Sequence, residues 1–262
     1  MSAILFSFCP ELDEVSSRMP SKPQRLFVTS RLAPGASVEL DPPQAHYLIN
    51  VLRCKVGDGV LLFNGEDGEW SGSLSAATKK RATIALAEET RPQIKGPDMH
   101  YLFAPLKRAR LDYVAQKATE MGARLLKPVI TRRTVAERVN TARLTANAIE
   151  AAEQCGILWA PKVSEPGILS SVLETWDPHR LLVFADEAAP HTSPLAALSA
   201  ERPRPFAVLI GPEGGFAEEE RALLLSQPFV LPISLGPRLI RADTAAVAAL
   251  ALVNATIGDW RS

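Results

Sequence analysis

The chain predicts an α/β protein built as two units, a small β-barrel followed by a domain on a parallel sheet. Three observations carry this. Residues 22–90 read as short apolar runs divided by turn residues. Arg91-Pro92-Gln93-Ile94-Lys95-Gly96-Pro97 has the composition of a linker. Beyond it, buried-type strands alternate with helical stripes. The 262 residues suffice for one large or two modest domains. The expected partition is a loose extension over 1–21, the barrel over 22–91 and the α/β domain over 95–262.

Each element has a local reason. Arg25 to Val28 opens as a strand. Asp41-Pro42-Pro43 starts a short helix expected to run to Arg53, because proline fits a first helical turn. Gly57-Asp58-Gly59 turns the chain into a strand over Val60 to Phe63; Asn64-Gly65 and Asp67-Gly68 mark further turns. Strands over Glu69 to Ser75 and Ala82 to Glu89 complete the barrel. Tyr101 to Ala104 begins the second unit. Leu111, Val114, Ala115, Ala118 and Met121 recur at helical spacing, and Gly122 ends that helix. Leu125 to Ile130 is a strand. Leu144, Ala148, Ala151, Ala152 and Cys155 form a second stripe closed by Gly156. Leu181 to Ala185, Ala207 to Ile210 and Val230 to Leu235 are buried-type strands. The last helix is expected over Asp243 to Ile257, with Asp243 or Thr244 as its cap.

Composition narrows the function classes. With 47% hydrophobic and 22% charged residues the chain is ordinary globular material. Its net charge of +0 means that any nucleic-acid site must be a local basic patch. Cys9, Cys54 and Cys155 are far apart, and His46, His100, His179 and His191 show no ligand spacing. Neither a disulfide framework nor a metal site is expected. No apolar run reaches transmembrane length. The first ten residues lack a basic start and are followed by Glu11, Asp13 and Glu14, a poor export signal. A reducing cytosol is the expected compartment.

Two strand-to-helix loops carry the chemistry. Ile210-Gly211-Pro212-Glu213-Gly214-Gly215-Phe216 follows one strand and precedes a helix near Ala217. Glycines there let a ligand approach the backbone, and ligands of open α/β sheets bind beyond the strands' carboxyl ends. The loop matches no phosphate-binding pattern. Glu213, Glu218, Glu219 and Glu220 crowd the helix start and repel anions, so a ligand with cationic character suits it better. The second loop, Leu235 to Ala245, holds Gly236, Leu239, Ile240, Arg241, Asp243 and Thr244. In isolation, each loop also reads as a plain turn with a cap and a surface ion pair.

Taken together they are more specific. GPEGGF at 211–216 and LGPRLIRADTA at 235–245 resemble the RsmE-type family, the 16S ribosomal RNA uridine N3-methyltransferases of the SPOUT class. The likeness extends over about Arg25 to Asp259, through RLFV at 25–28, HYLINVLR at 46–53, KRARLDYVAQKATEMGA at 107–123 and EQCG at 153–156. It departs at Ile157, where the family usually carries arginine, and at Asp243, where it usually carries glutamate.

The resemblance implies a PUA-like β-barrel plus a SPOUT α/β-knot domain with a deep trefoil knot. It implies S-adenosylmethionine as cofactor, a homodimer with the active site near the subunit contact, and 16S rRNA as substrate, in the assembled small subunit. The implied cofactor residues are Phe184, Ile210, Gly211, Pro212, Glu213, Gly214, Gly215, Leu235, Gly236, Leu239, Ile240, Arg241 and Thr244. Gly214 is expected to need its bare backbone. Uracil N3 must lose a proton before it attacks a methyl group. Arg241 is the candidate to steady the charge left on the base; Glu213 and Asp243 are the candidate bases. Arg25, His46, Arg53 and Lys55, with Lys107, Arg108, Arg110, Arg132 and Arg133, are candidates for an RNA phosphate track. Three alternatives stay open: a knotted RNA methyltransferase with another target, a non-catalytic PUA-type RNA binder, and a nucleotide-dependent enzyme, which the acidic loop disfavours.

Overall fold

The computed structural model describes residues 23–78, 80–135, 138–190 and 192–261, so the expected extension over 1–21 lies outside the described residues. The first unit contains β1 (Gln24–Phe27), β2 (Ser37–Glu39), α1 (Pro42–His46), β3 (Gly59–Phe63), β4 (Glu69–Ala77) and β5 (Ala82–Arg91). They form a five-stranded sheet in the order β1-β3-β4-β5-β2. Only the β1–β3 pairing is parallel. Along β5 the buried Ala82, Ile84 and Leu86 alternate with less buried neighbours, and they share one core with Leu26, Val38, Leu62 and Leu74. A half-buried sheet requires this period of two.

Two details differ from the expectation. The helix predicted through Arg53 is α-helical only as far as His46, then widens into a π turn over Tyr47–Val51. Leu52 N–H reaches back five residues to the Tyr47 carbonyl. The turn keeps Leu48 wholly buried while Tyr47, Val51 and Leu52 stay exposed. Arg53, which leaves it, has φ 58, a left-handed conformation uncommon outside glycine. Strand β2 was not predicted, because three residues are too few to show alternation.

The second unit runs β6 (Met99–Phe103), α2 (Arg108–Glu120), β7 (Leu125–Ile130), α3 (Thr141–Cys155), β8 (Lys162–Val163), β9 (Gly167–Ile168), α4 (Leu169–Glu174), β10 (Leu181–Ala185), α5 (Pro194–Ser199), β11 (Phe206–Ile210), α6 (Glu218–Leu225), β12 (Val230–Ile233) and α7 (Ala242–Thr256). The sheet order is β12-β10-β11-β6-β7-β8, with β9 also beside β7, and every pairing is parallel. Parallel neighbours need crossovers, so helices cover both faces. One core lies under α2, α3, α5 and α7, the other under α4 and α6. Strand β12 is at the sheet edge, yet α7 packs on α2, α5 and β11. Residues 234–241 therefore carry the chain from the edge back over the middle strands.

Residues of the two units meet at the carboxyl end of α3. Arg25 is buried there: its Nε lies 2.6 Å from Glu69, and its terminal nitrogens donate to the carbonyls of Ala152, Glu153 and Ile157. Arg91 donates to the Gly156 carbonyl. Two cations thus meet the helix end where unpaired carbonyls collect. Burial raises the Glu153 carboxyl above its ordinary range, while its bond from Phe27 N–H opposes the shift. Arg25 was expected on the RNA track. Its guanidinium is instead spent on internal partners and on the Phe63 ring, 4.5 Å away, so no free face remains for a phosphate.

Candidate active site

The carboxyl ends of β10, β11 and β12 are neighbours in the sheet, and the loops leaving them enclose a cleft of about 740 Å³. Ile210, Gly211, Pro212, Glu213, Gly215, Leu235, Gly236, Leu239, Ile240 and Arg241 all line it. These two segments are remote in sequence. They meet because β10 pairs with β11 on one side and with β12 on the other.

Three expected cofactor residues lie elsewhere. Phe184 is wholly buried and stands edge-on behind Phe216, with ring centroids 5.1 Å apart. It supports the cleft wall without facing the cleft. Thr244 lines a neighbouring concavity with Arg110, Tyr113 and Val247. Gly214 is at the surface, and an added Cβ there would meet only Arg133, at 3.8 Å. The glycine requirement falls on its neighbours. A Cβ at Gly211 would come within 2.4 Å of the Phe216 ring. Gly215 has φ +68, and a Cβ on it would come within 2.5 Å of Glu187.

The three candidate catalytic residues are brought together, joined by one that the sequence had placed on the RNA track. Arg110 of α2 pairs with Glu213 and lies 4.0 Å from Asp243, which is 3.5 Å from Arg241. Both carboxylates are therefore engaged by guanidinium groups. Glu213 lines the cleft, whereas Asp243 faces the neighbouring concavity. The expected capping is also corrected. Arg241 occupies the cap position of α7 and no side chain caps it. Asp243 sits in the first turn, where a carboxylate suits the helix dipole.

The other basic candidates divide. His46, Arg53, Lys55 and Lys107 are exposed. The side chain of Arg108 lies outside the described residues. Arg132 is tied to α6, pairing with Glu219 at 3.0 Å and donating its N–H to Glu220. Arg133 donates to the Gly214 carbonyl at 2.8 Å and lines the cleft. Among the described residues no cluster of three metal-ligating side chains occurs, and no helix is long and apolar enough to cross a membrane.

Sequence reasoning pointed to the end of β10 through Phe184 but missed the charged residues that follow it, Asp186 and Glu187. Asp186 is 4% exposed and accepts from Arg221, at 3.0 Å to one oxygen and 3.1 Å to the other. Its backbone N–H bonds Ile233 of β12. One carboxylate thus links β10 to α6 while its own backbone holds the next strand. Asp186, Glu187, Arg221 and Arg238 all line the cleft. The usable signal was the acidic pair at the end of a buried strand.

Residues 94–254 match the family model of an RNA methyltransferase domain, and residues 40–86 that of an RNA methyltransferase PUA domain. The chain is 32% identical to ribosomal RNA small subunit methyltransferase E of Rickettsia conorii, over 89% of this chain and 96% of that one. Against the protein of the same name from Synechocystis the figures are 29%, 89% and 78%. A methyltransferase from Legionella pneumophila, solved with the cofactor SAM bound, superposes with a TM-score of 0.78 at 28% identity, over 89% of this chain and 98% of that one. Ribosomal RNA small subunit methyltransferase E from Neisseria gonorrhoeae superposes at 0.81 with 24% identity, over 91% and 100%.

Proposed function

Because this chain belongs to the ribosomal RNA small subunit methyltransferase E family, we propose that it uses S-adenosylmethionine to methylate N3 of a uridine in 16S rRNA, uridine 1498. Its fold is a PUA-like unit followed by a SPOUT-type methyltransferase domain. The observation that carries the reading is the cleft itself, at adjacent strand ends, walled by a loop in which Gly215 has φ +68 and a Cβ on Gly211 would press on the Phe216 ring.

The residues present fit the cofactor. A cleft of about 740 Å³ falls within the roughly 300–1,000 Å³ of small-molecule sites. Leu235, Leu239 and Ile240 supply an apolar wall for an adenine ring. Glu187, Glu213 and Glu218 suit a ligand with cationic character. Bound there, S-adenosylmethionine supplies an electrophilic methyl group.

The protein's own part is positioning and proton handling. The turn closed by the Gly215 N–H on the Pro212 carbonyl presents backbone to the ligand. Arg241, exposed at the start of α7 beside the cleft, is placed to meet the charge that spreads onto the uracil oxygens. Glu213 is the better candidate base, because it lines the cleft and Asp243 does not. Arg110 steers Glu213, and the proton moves to that carboxylate when the ion pair opens. The same reading takes the crossing made by residues 234–241 as the closure of a trefoil knot. It assigns His46, Arg53, Lys55 and Lys107 to RNA phosphates in the small subunit. It also assigns the outer face of α2 and α7 to a homodimer contact.

Nucleoside mass spectrometry of 16S rRNA from a strain lacking the gene tests the function. N3-methyluridine should disappear and return on complementation. Its persistence, with loss of another methylated nucleoside, would favour a different target.

A further inference from the structure

Of the eight charged side chains that line the cleft, four are ion-paired, Asp186 with Arg221, Glu213 with Arg110 and Arg241 with Asp243, and the other four are Arg133, Glu187, Glu218 and Arg238. Among the described residues no ion pair engages Arg133 or Glu187, although both line the cleft. They flank consecutive glycines. The Arg133 side chain lies 3.8 Å from where a Cβ on Gly214 would be, and the Glu187 carboxylate lies 2.5 Å from where a Cβ on Gly215 would be. A cation and an anion thus stand beside neighbouring residues of one turn, in one cleft.

We propose that Arg133 and Glu187 form a subsite for the α-amino-acid end of the cofactor, the guanidinium taking its carboxylate and the Glu187 carboxylate its ammonium. This rests on the cofactor reading above. An amino acid carries both charges on one carbon, so its recognition needs both signs close together. Arg133 is already tethered through one nitrogen to the Gly214 carbonyl. Tethering lowers the entropy lost on binding and leaves further N–H groups of a planar fork for a carboxylate. Glu187 leans into space that only glycine at 215 leaves open, which brings its charge to the loop. The assignment moves Arg133 from the RNA track to the cofactor.

Calorimetry with two ligands tests this. S-adenosylhomocysteine has the amino-acid end; 5′-methylthioadenosine keeps the nucleoside and sulfur but lacks it. Arg133→Ala and Glu187→Gln should each weaken S-adenosylhomocysteine roughly 10- to 100-fold, the scale of a charge-assisted hydrogen bond, and change methylthioadenosine by less than about twofold. Arg133→Lys should recover part of the loss. Equal losses for both ligands would mean general damage to the loop and overturn the subsite. Unchanged S-adenosylhomocysteine binding, with weaker RNA binding and a shallower salt dependence, would return Arg133 to the RNA and overturn it too. Wild-type protein that binds neither ligand would sink the cofactor reading, and the subsite with it.

Discussion

Arg241 can be read from its neighbours in two ways. It is 3.5 Å from Asp243, with a side chain 61% exposed, as in an ordinary surface pair. It also lines the cleft, and Asp243 is shared with Arg110. A surface pair contributes at most about 1 kcal/mol of stability. Loss of one preorganised donor to a developing anion typically costs about 100- to 1000-fold in turnover. Arg241→Ala should therefore slow methylation on that scale, much more than it weakens cofactor binding, while the melting temperature stays near wild type. Arg241→Lys keeps the charge but not the fork and should fall between. Single-turnover rates decide: a near-normal rate in the alanine variant would leave only the surface pair. Most residue types of this cluster were legible in the two loops. Arg110 was not, because nothing in its sequence neighbourhood says that α2 faces the second loop.

Strand β6 shows how an element sets a residue's chemistry. It lies inside the sheet between β11 and β7, so His100 is held half-buried. Burial, with the nearby Arg180 and Lys127 charges, lowers its pKa from 6.5 to about 4; Asp98, 3.7 Å away, opposes this only in part. The unfolded chain then binds more protons than the folded one between pH 6.5 and about 4. Stability should thus fall as pH drops through that window, by on the order of 2 kcal/mol in total. Urea midpoints at pH 7, 5.5 and 4.5 measure it, and His100→Gln should flatten the decline. An equally steep decline in the variant would assign the loss to other groups. Elements such as α2 and α3 could be read in advance, because several apolar turns and a closing glycine repeat the same signal. The π turn could not, since its hydrogen bonds depend on where Leu48 must be buried.

At the scale of the molecule, α7 has two faces. Ala246, Ala249, Leu250 and Val253 are buried in the core, while Thr244, Val247 and Ala248 line a shallow concavity with Ala109 and Tyr113 of α2. Tyr113 is 42% exposed. Apart from Arg110 and Asp243, which also line it 4.0 Å from each other, the face consists of small residues with one aromatic ring, which suits close packing between helices. Light scattering should give about twice the 28.4 kDa chain mass at micromolar concentration. Tyr113→Glu should shift the protein toward monomer. A wild-type monomer would remove the dimer from the reading.

Legible in the chain alone were the alternation of strands and helices, the short strands that precede it, and the two glycine-bearing loops, because periodicity and turn chemistry are local. The sequence also carried the family resemblance, since motif spacing survives without coordinates. Only the tertiary structure decided which residues share the cleft. Gly211, Gly215, Asp186 and Arg241 meet because parallel pairing aligns the ends of β10, β11 and β12, and strand order is not written in any one strand. The tertiary structure also took Arg25 away from the surface, because the buried end of α3 needed a cation, and it moved the glycine requirement from Gly214 to its neighbours. Apart from Gly211, whose contact is with the nearby Phe216, these roles depend on atoms more than 20 residues away in sequence, which chain-local patterns do not encode.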